Sequence, residues 1–248
     1  MTPLYCRSLL LLGMGIYLVQ HPLFAHPPAA IAIYPDNQMA IGALPKAAIL
    51  SLTPTTYIYG YHNSLVIAVV SNAGKTQVAY SSFESADQGY WTYNGTPASS
   101  AATPARTGNQ YYALSSGNIQ RTDLPSGNYL VSYWASAPAT ISGTNYALVS
   151  HYTGAALNGW TYYQTIFTLS ADNSSLTLSG SVNLDELRLH PFQAQMVTTT
   201  FEPLVGKTSE TDANNVTLYY EYDEFNRLKN VRDQRGYLRK TYQYTYKQ

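Results

Sequence analysis

Cysteine is almost missing from this chain: Cys6 is the only one among 248 residues. A disulfide-stapled scaffold is therefore excluded, and stability must come from a buried core, for which the length is ample. Charge is also scarce. Charged residues make up 11% of the chain and 14 basic side chains balance 14 acidic ones, so no global field steers it toward nucleic acid or an anionic bilayer. No apolar run reaches the ~20 residues a spanning helix needs. Catalytic signatures are lacking too. His21, His26, His62, His151 and His190 are scattered without metal-ligand spacing, and there is no Gly-x-Ser-x-Gly elbow, phosphate-cradling loop or dinucleotide fingerprint. The adjacent acids Asp185 and Glu186 lie in a strand-like run, where neighbours point to opposite faces, so they are not expected to flank one scissile bond. No enzyme is expected.

What is present begins with an export-like start. Arg7 precedes an apolar run from Leu9 to Val19, too short to span a bilayer, and "LFA" offers cleavage after Ala25. Residues 1–25 thus read as a signal peptide, with membrane contact only during export and a secreted or cell-surface destination; the other reading is a buried apolar segment. Cys6 precedes the run, where a lipid-acceptor cysteine would follow it. Residues 26–75, Pro- and Ala-rich at first, read as linker and lead-in.

Tyrosine is abundant, 24 residues against 6 phenylalanines, and Gly, Pro, Ser and Thr punctuate at short intervals, a composition of many short strands. Over residues 76–191 about eight strand-like runs alternate with turn clusters, the scale of one β-sandwich. In "LDELRL", Asp185 shares a face with Leu187 and Leu189, so it sits at the margin of an apolar face and needs donors or a cation. Glu84, closing "SSFE", is a second acid. Either the two meet around a structural Ca²⁺, the one cofactor considered, or Asp185 bonds a backbone turn while Glu84 is solvated. Trp91, Tyr93, Trp134, Trp160 and Tyr162 are candidate ligand-binding residues, a platform for stacking sugar rings. However, Trp160 and Tyr162 share one strand parity and Tyr163 and Phe167 the other, so at least one set must pack inside.

The C-terminal stretch "YYEYDEFNRLKNVRDQRGYLRKTYQYTYK" has a metre. Tyr222-Asp223, then Asn226-Arg227-Leu228, Val231, Asp233, Gly236, Tyr242 and Tyr244 fall in an order that suits β-hairpins: "DEFN" and "DQRG" carry turn chemistry, and alternating tyrosines supply the strands. Asp212 lies 21 residues before Asp233, and Asn215 lies 21 before Gly236, a degenerate earlier copy in which Phe201-Glu202 replaces Tyr-Asp. Phe225, Leu228 and Val231 also permit a short amphipathic helix, but the flanking tyrosine alternation favours hairpins. Seven of the 14 basic residues follow position 225, a pattern read as a solvated hairpin surface, with no nucleic-acid partner expected.

Those residues resemble the YD repeat of bacterial RHS-type proteins. The order "SFES…WTYNG…ARTGNQYYAL…LPSGNYLVSYWA…GWTYYQTIFTLS…LTLSGS…LDELRLHP" resembles the jelly-roll, carbohydrate-binding-type domains of secreted bacterial proteins, and "TPTTYIYGYHNSLVIAVVSNA" resembles the segment that precedes such a domain in RHS-repeat proteins. The resemblance implies an all-β protein, a jelly-roll β-sandwich followed by YD-repeat β-hairpins over residues 196–248. It implies a non-catalytic structural or interaction role as a fragment of an RHS-repeat assembly, with two repeats too few for a closed shell or an enclosed toxin. Partners would be a cell-surface glycan or protein, or other RHS-repeat chains. The alternative is a carbohydrate-binding module for extracellular glycans.

Overall fold

The structure is a computed structural model; it describes the backbone of residues 5–12 and 15–22 and the chain from residue 53 to residue 245. The chain divides after Leu52. In the first unit β1 (Tyr5–Leu12) and β2 (Gly15–Pro22) pair antiparallel. The proposed cleavage point after Ala25 and the linker up to residue 52 lie outside the described residues.

The second unit is all β. Its strands are β3 (Thr55–Gly60), β4 (Leu65–Ser71), β5 (Ala79–Ser81), β6 (Tyr112–Ala113), β7 (Ile119–Leu124), β8 (Gly127–Ala135), β9 (Thr140–Gly143), β10 (Tyr146–Leu157), β11 (Trp160–Leu169), β12 (Ser174–Ser179) and β13 (Asn183–Pro191), followed by β14 (Gln195–Glu202), β15 (Gly206–Thr211), β16 (Thr217–Tyr222), β17 (Leu228–Asp233) and β18 (Leu238–Thr241).

Two sheets form a sandwich. One has the order β10-β11-β8-β13-β5, with β6 also on β13; the other is β7-β12-β9. From β7 to β13 every connection crosses between the sheets except the β10–β11 hairpin, which stays in the larger one, and this fits a jelly-roll winding. Alternation explains the core. In β11, Tyr163, Phe167 and Leu169 point inward against Ile119, Leu124, Leu176 and Leu178 of the smaller sheet. Each such buried side chain contributes about 1.5–3 kcal/mol relative to exposure.

Part of the opposite face of the larger sheet is covered as well. Trp134 and Trp160 pack with Tyr111 beneath a loop carrying Ala98 and Ala105, and Trp160 Nε1 donates to the Pro104 carbonyl at 2.9 Å. The inward set of β11 is therefore covered by a sheet, and Trp160 of the outward set by a loop, while Tyr162 on that face stays half-exposed.

A third sheet, β18-β17-β16-β15-β14-β4-β3, is an antiparallel meander. Residues 55–71, part of the lead-in in the sequence reading, are strands of this sheet: β4 pairs with β14, Met196 opposite Val70. Ile58, Ile67, Ala68, Val70 and Met196 bury a second core against Val78 and Tyr80. The segment Phe225 to Arg235 is hairpin, not helix, with β16 and β17 paired from Leu218↔Asp233 to Tyr222↔Leu228.

Candidate functional site

The aromatic residues proposed as a sugar platform are mostly interior. Trp91 and Tyr93 lie in the sandwich core, Trp91 Nε1 donating to the Leu187 carbonyl at 3.4 Å. Trp134 and Trp160 are buried under the Ala98–Arg106 loop. Only Tyr162 is half-exposed, packed on Trp134 with ring centres 5.6 Å apart. As an exposed platform the set is corrected: the loop that covers this face was not legible from strand parity.

Glu84 and Asp185 are brought to one loop, residues 106–110, and backbone N–H groups take the place assigned to a cation. Asn109 N–H donates to both Glu84 carboxylate oxygens at 2.9 Å and Gln110 N–H donates to Oε1 at 2.6 Å. Asp185, fully buried, accepts from Thr107 N–H at 3.0 Å and from Glu186 N–H at 2.6 Å. Among the described residues no group of three or more His, Cys, Asp or Glu side chains could hold a metal ion. Both carboxylates thus receive donors from the backbone N–H groups of one loop.

Strand parity fails at Glu186, and the failure builds the junction. Opposite β8, Asp185 pairs with Trp134 and Arg188 with Ser132, one residue too many on β13, while Glu186 stands at φ +53°. That is a β-bulge, and it turns Glu186 toward the same residue as Asp185. Thr107 donates through N–H to Asp185 and through its hydroxyl to Glu186 Oε1 at 2.8 Å. The expectation that the two acids face opposite ways is overturned by this extra residue.

Glu186 is fully satisfied. Tyr80 hydroxyl donates to Oε1 at 2.6 Å, Thr198 hydroxyl to Oε2 at 3.0 Å and Arg188 Nη2 to Oε2 at 3.1 Å. Arg188 also donates to Thr198 Oγ1 and to the Asp212 carbonyl, the latter at 3.1 Å, joining the sandwich to the hairpin sheet. Thr107, Arg188 and Thr198 were not among the sequence candidates; an arginine between the buried leucines of "ELRL" was the available signal.

Burial dictates the electrostatics. Desolvation, with the neighbouring Glu186 charge, holds the Asp185 carboxyl well above the usual carboxylate range, and burial pushes His190 down to about 4. Glu84 is pushed up to about 7, chiefly by burial; its Asn109 and Gln110 hydrogen bonds oppose the rise, and Glu186 and Glu202 add to it. Arg106 lies over the Trp134 ring at 4.2 Å, and burial lowers it to about 10.

Because the Glu84 carboxyl titrates higher in the folded than in the unfolded chain, the stability it contributes is present below about 4.5 and is lost as pH rises through about 7. His190 acts oppositely over part of that window, so the contrast with Glu84→Gln isolates the effect. Melting midpoints from pH 4.5 to 8 are expected to fall more steeply for the wild type than for Glu84→Gln; parallel curves would refute the assignment.

The repeat-motif residues form a second, regular feature. Three turns begin at Asp212, Asp223 and Asp233. Each aspartate Oδ1 accepts two backbone N–H groups: Asn214 and Val216 at 2.9 and 2.8 Å, Phe225 and Arg227 at 2.9 and 3.0 Å, Arg235 and Tyr237 at 2.9 and 3.0 Å. The third residue after each aspartate is left-handed, with Asn215 at φ +62°, Asn226 at +56° and Gly236 at +86°. This is a type I turn with a following bulge, the geometry of three-residue hairpin loops. Asn and Gly recur there because they tolerate positive φ.

Arg227 Nε and Arg239 Nε donate to Oδ2 of Asp223 and Asp233 at 2.8 and 2.9 Å, closing two of the clasps. Tyr222 hydroxyl donates to the Lys207 carbonyl at 2.9 Å, and Tyr244 hydroxyl to Leu228 at 2.8 Å beneath the Arg227 guanidinium. Tyr242 N–H continues the ladder to the Lys229 carbonyl at 2.9 Å. The 21-residue spacing seen in the sequence therefore spans two turns, since the clasping aspartates stand 11 and 10 residues apart.

No family model matches this chain, and no curated protein matches it.

Proposed function

We propose that this chain is a non-catalytic, exported structural or interaction protein of the RHS, YD-repeat type, acting as part of a larger β-hairpin assembly. The observation that carries the reading is the turn repeated at Asp212, Asp223 and Asp233 with the same hydrogen bonds and the same left-handed residue. A unit repeated along one meander buries each strand against the next, and its last strand offers an unpaired edge. Among the described residues that strand is β18, at the sheet's end, with Leu238 half exposed and Tyr242 and Tyr244 beyond it. The partner is another chain bearing such strands, or a cell-surface protein or glycan. Arg7 followed by the apolar run supports export to the cell surface or medium.

Sedimentation tests this. The full chain is expected to associate with rising concentration, and Leu238→Lys, which places charge on the open edge, is expected to suppress association. A wild type that stays monomeric at high concentration would sink the assembly reading.

A further inference from the structure

β10 is the longest described strand, the twelve residues "YALVSHYTGAAL", and it forms one edge of the larger sheet. β11 takes one side of it, and among the described residues no strand takes the other. Edges elsewhere are short or charged. β5, β6 and β9 have three, two and four residues, β7 carries Arg121 and Asp123, and β18 carries Arg239 and Lys240. β3 lacks charge but is half as long. β10 holds no Asp, Glu, Lys, Arg or Pro, the side chains that ordinarily keep an edge from pairing. Instead Leu148, Val149 and Tyr152 stand 59, 61 and 58% exposed along it.

The pairing of β10 with β11 shifts register twice, between Leu148 and Ser150 and between Thr153 and Ala156, and Tyr152 lies near the midpoint. These shifts fix the face each side chain takes. Leu148 lies opposite Phe167 and Ala156 opposite Thr161, both on the parity of buried Tyr163, whereas Ala147 opposite Thr168 and Leu157 opposite Trp160 take the other face. Consider a two-fold axis through Tyr152, perpendicular to the sheet. It sets Leu148 against Ala156 of a second copy and Ala147 against Leu157, each pair with both side chains on one face, and Val149 against Ala155. Every one of these pairs joins a large side chain to a small one. The first register shift of one copy also meets the second shift of the other.

We infer that β10 is a self-pairing edge: it binds β10 of a second copy of this chain, antiparallel about Tyr152, and joins the larger sheets of two sandwiches into one. An arbitrary peptide would supply the same backbone hydrogen bonds but not the distribution of bulk, large before the axis and small after it, that the strand answers when read against itself. The missing charge points the same way. A charged residue on this strand would enter the seam twice with the same sign, and none is there to be repelled or left unpaired. Size sets the strength. Twelve residues rise about 40 Å and a sheet is about 10 Å thick, so the paired edges cover on the order of 800 Å² in total, more once overhanging side chains are counted. That is the low end of specific interfaces, so the pair is reversible, with micromolar rather than nanomolar affinity. The seam does not involve β18 and is independent of assembly there.

Sedimentation and cysteine cross-linking of the full chain test this. Leu238→Lys blocks the β18 edge, so in that variant association is expected to stop at a two-chain species. Adding Tyr152→Lys, which sets like charges directly opposite each other across the axis, should weaken this species about tenfold or more. An equimolar mixture of chains bearing Tyr152→Lys and Tyr152→Glu should restore it, which a folding defect would not allow. In a Cys6→Ser background, mild oxidation should link Tyr152→Cys chains, because directly opposed residues of antiparallel strands stand about 4.5–5.5 Å apart, within reach of a disulfide. Ala147→Cys, about 30 Å from its own counterpart in this register, should stay unlinked. The inference is overturned if Leu238→Lys stays monomeric at high concentration, if Tyr152→Lys pairs like its parent, if the mixture recovers nothing, or if Ala147→Cys links as readily as Tyr152→Cys. A wild type that stops at the same pair as Leu238→Lys would count against the β18 reading alone, so the two are told apart.

Discussion

Arg188→Ala is expected to lower stability by about 3–5 kcal/mol, the range for removing one partner of a buried ion pair. The loss has two parts. Glu186, 2% exposed, would be left among Tyr80, Thr107 and Thr198 without its ion-pair partner, and the Asp212 carbonyl would lose its donor. The second part concerns position as well as energy: Arg188 stands on β13 of the sandwich and reaches β14 and the end of β15. Hydrogen exchange of the β14 and β15 amides is therefore expected to quicken more than exchange in the β8–β11 pair. The double variant Glu186→Gln with Arg188→Met should regain most of the loss, since no buried charge is left alone. Urea unfolding checks the two stability expectations and amide exchange the third; an Arg188→Ala midpoint matching the wild type would dismiss the junction as an organising contact.

Gly89→Ala is expected to be comparably damaging for a different reason. Gly89 stands at φ +56°, and a Cβ there would overlap the carbonyl oxygen of Tyr80, with the carbonyl carbon 2.9 Å away. Backbone cannot swing aside as a side chain can, and Tyr80 N–H is itself bonded to the Gly89 carbonyl at 2.9 Å. Displacing that segment also moves the Tyr80 hydroxyl from Glu186. A loss of about 3 kcal/mol or more is expected, by the combined mechanisms of overpacking and left-handed strain. Gly159→Ala is the control. Its φ is +84° but nothing lies within 4 Å of the added carbon, so only the conformational cost of about 1 kcal/mol should appear. Equal midpoints for the two variants would show that the Tyr80 contact is unimportant.

Local chemistry carried much of the fold into view. The turns at Asp223 and Asp233 were readable because aspartate followed by Asn or Gly three residues later is the chemistry a three-residue hairpin loop uses. The strand alternation of "WTYYQTIFTL" predicted an inward set, and Tyr163 and Phe167 are in the core. The other set misled. Trp160 looked available on parity grounds, but a face is exposed only if nothing else in the chain covers it, and the loop through Pro104 does. Asp185 was expected to need donors and Glu84 either to join it or to be solvated; both instead accept from N–H groups of residues 107–110, whose distance in sequence no spacing rule measures. The edge position of β10 escaped notice, because an edge is defined by strands that come to lie elsewhere.

Sequence alone determined what is local: a pleated, two-sided polypeptide, the positions where it bends, and the absence of a disulfide framework. Tertiary structure decided which strands became neighbours, including β4 beside β14, and how one surplus residue at Glu186 swung two carboxylates onto a single loop. The reason is physical. Alternation and turn chemistry act over a few bonds of backbone, whereas pairing between distant strands and the covering of a face are settled by the burial of surfaces the whole chain competes to fill.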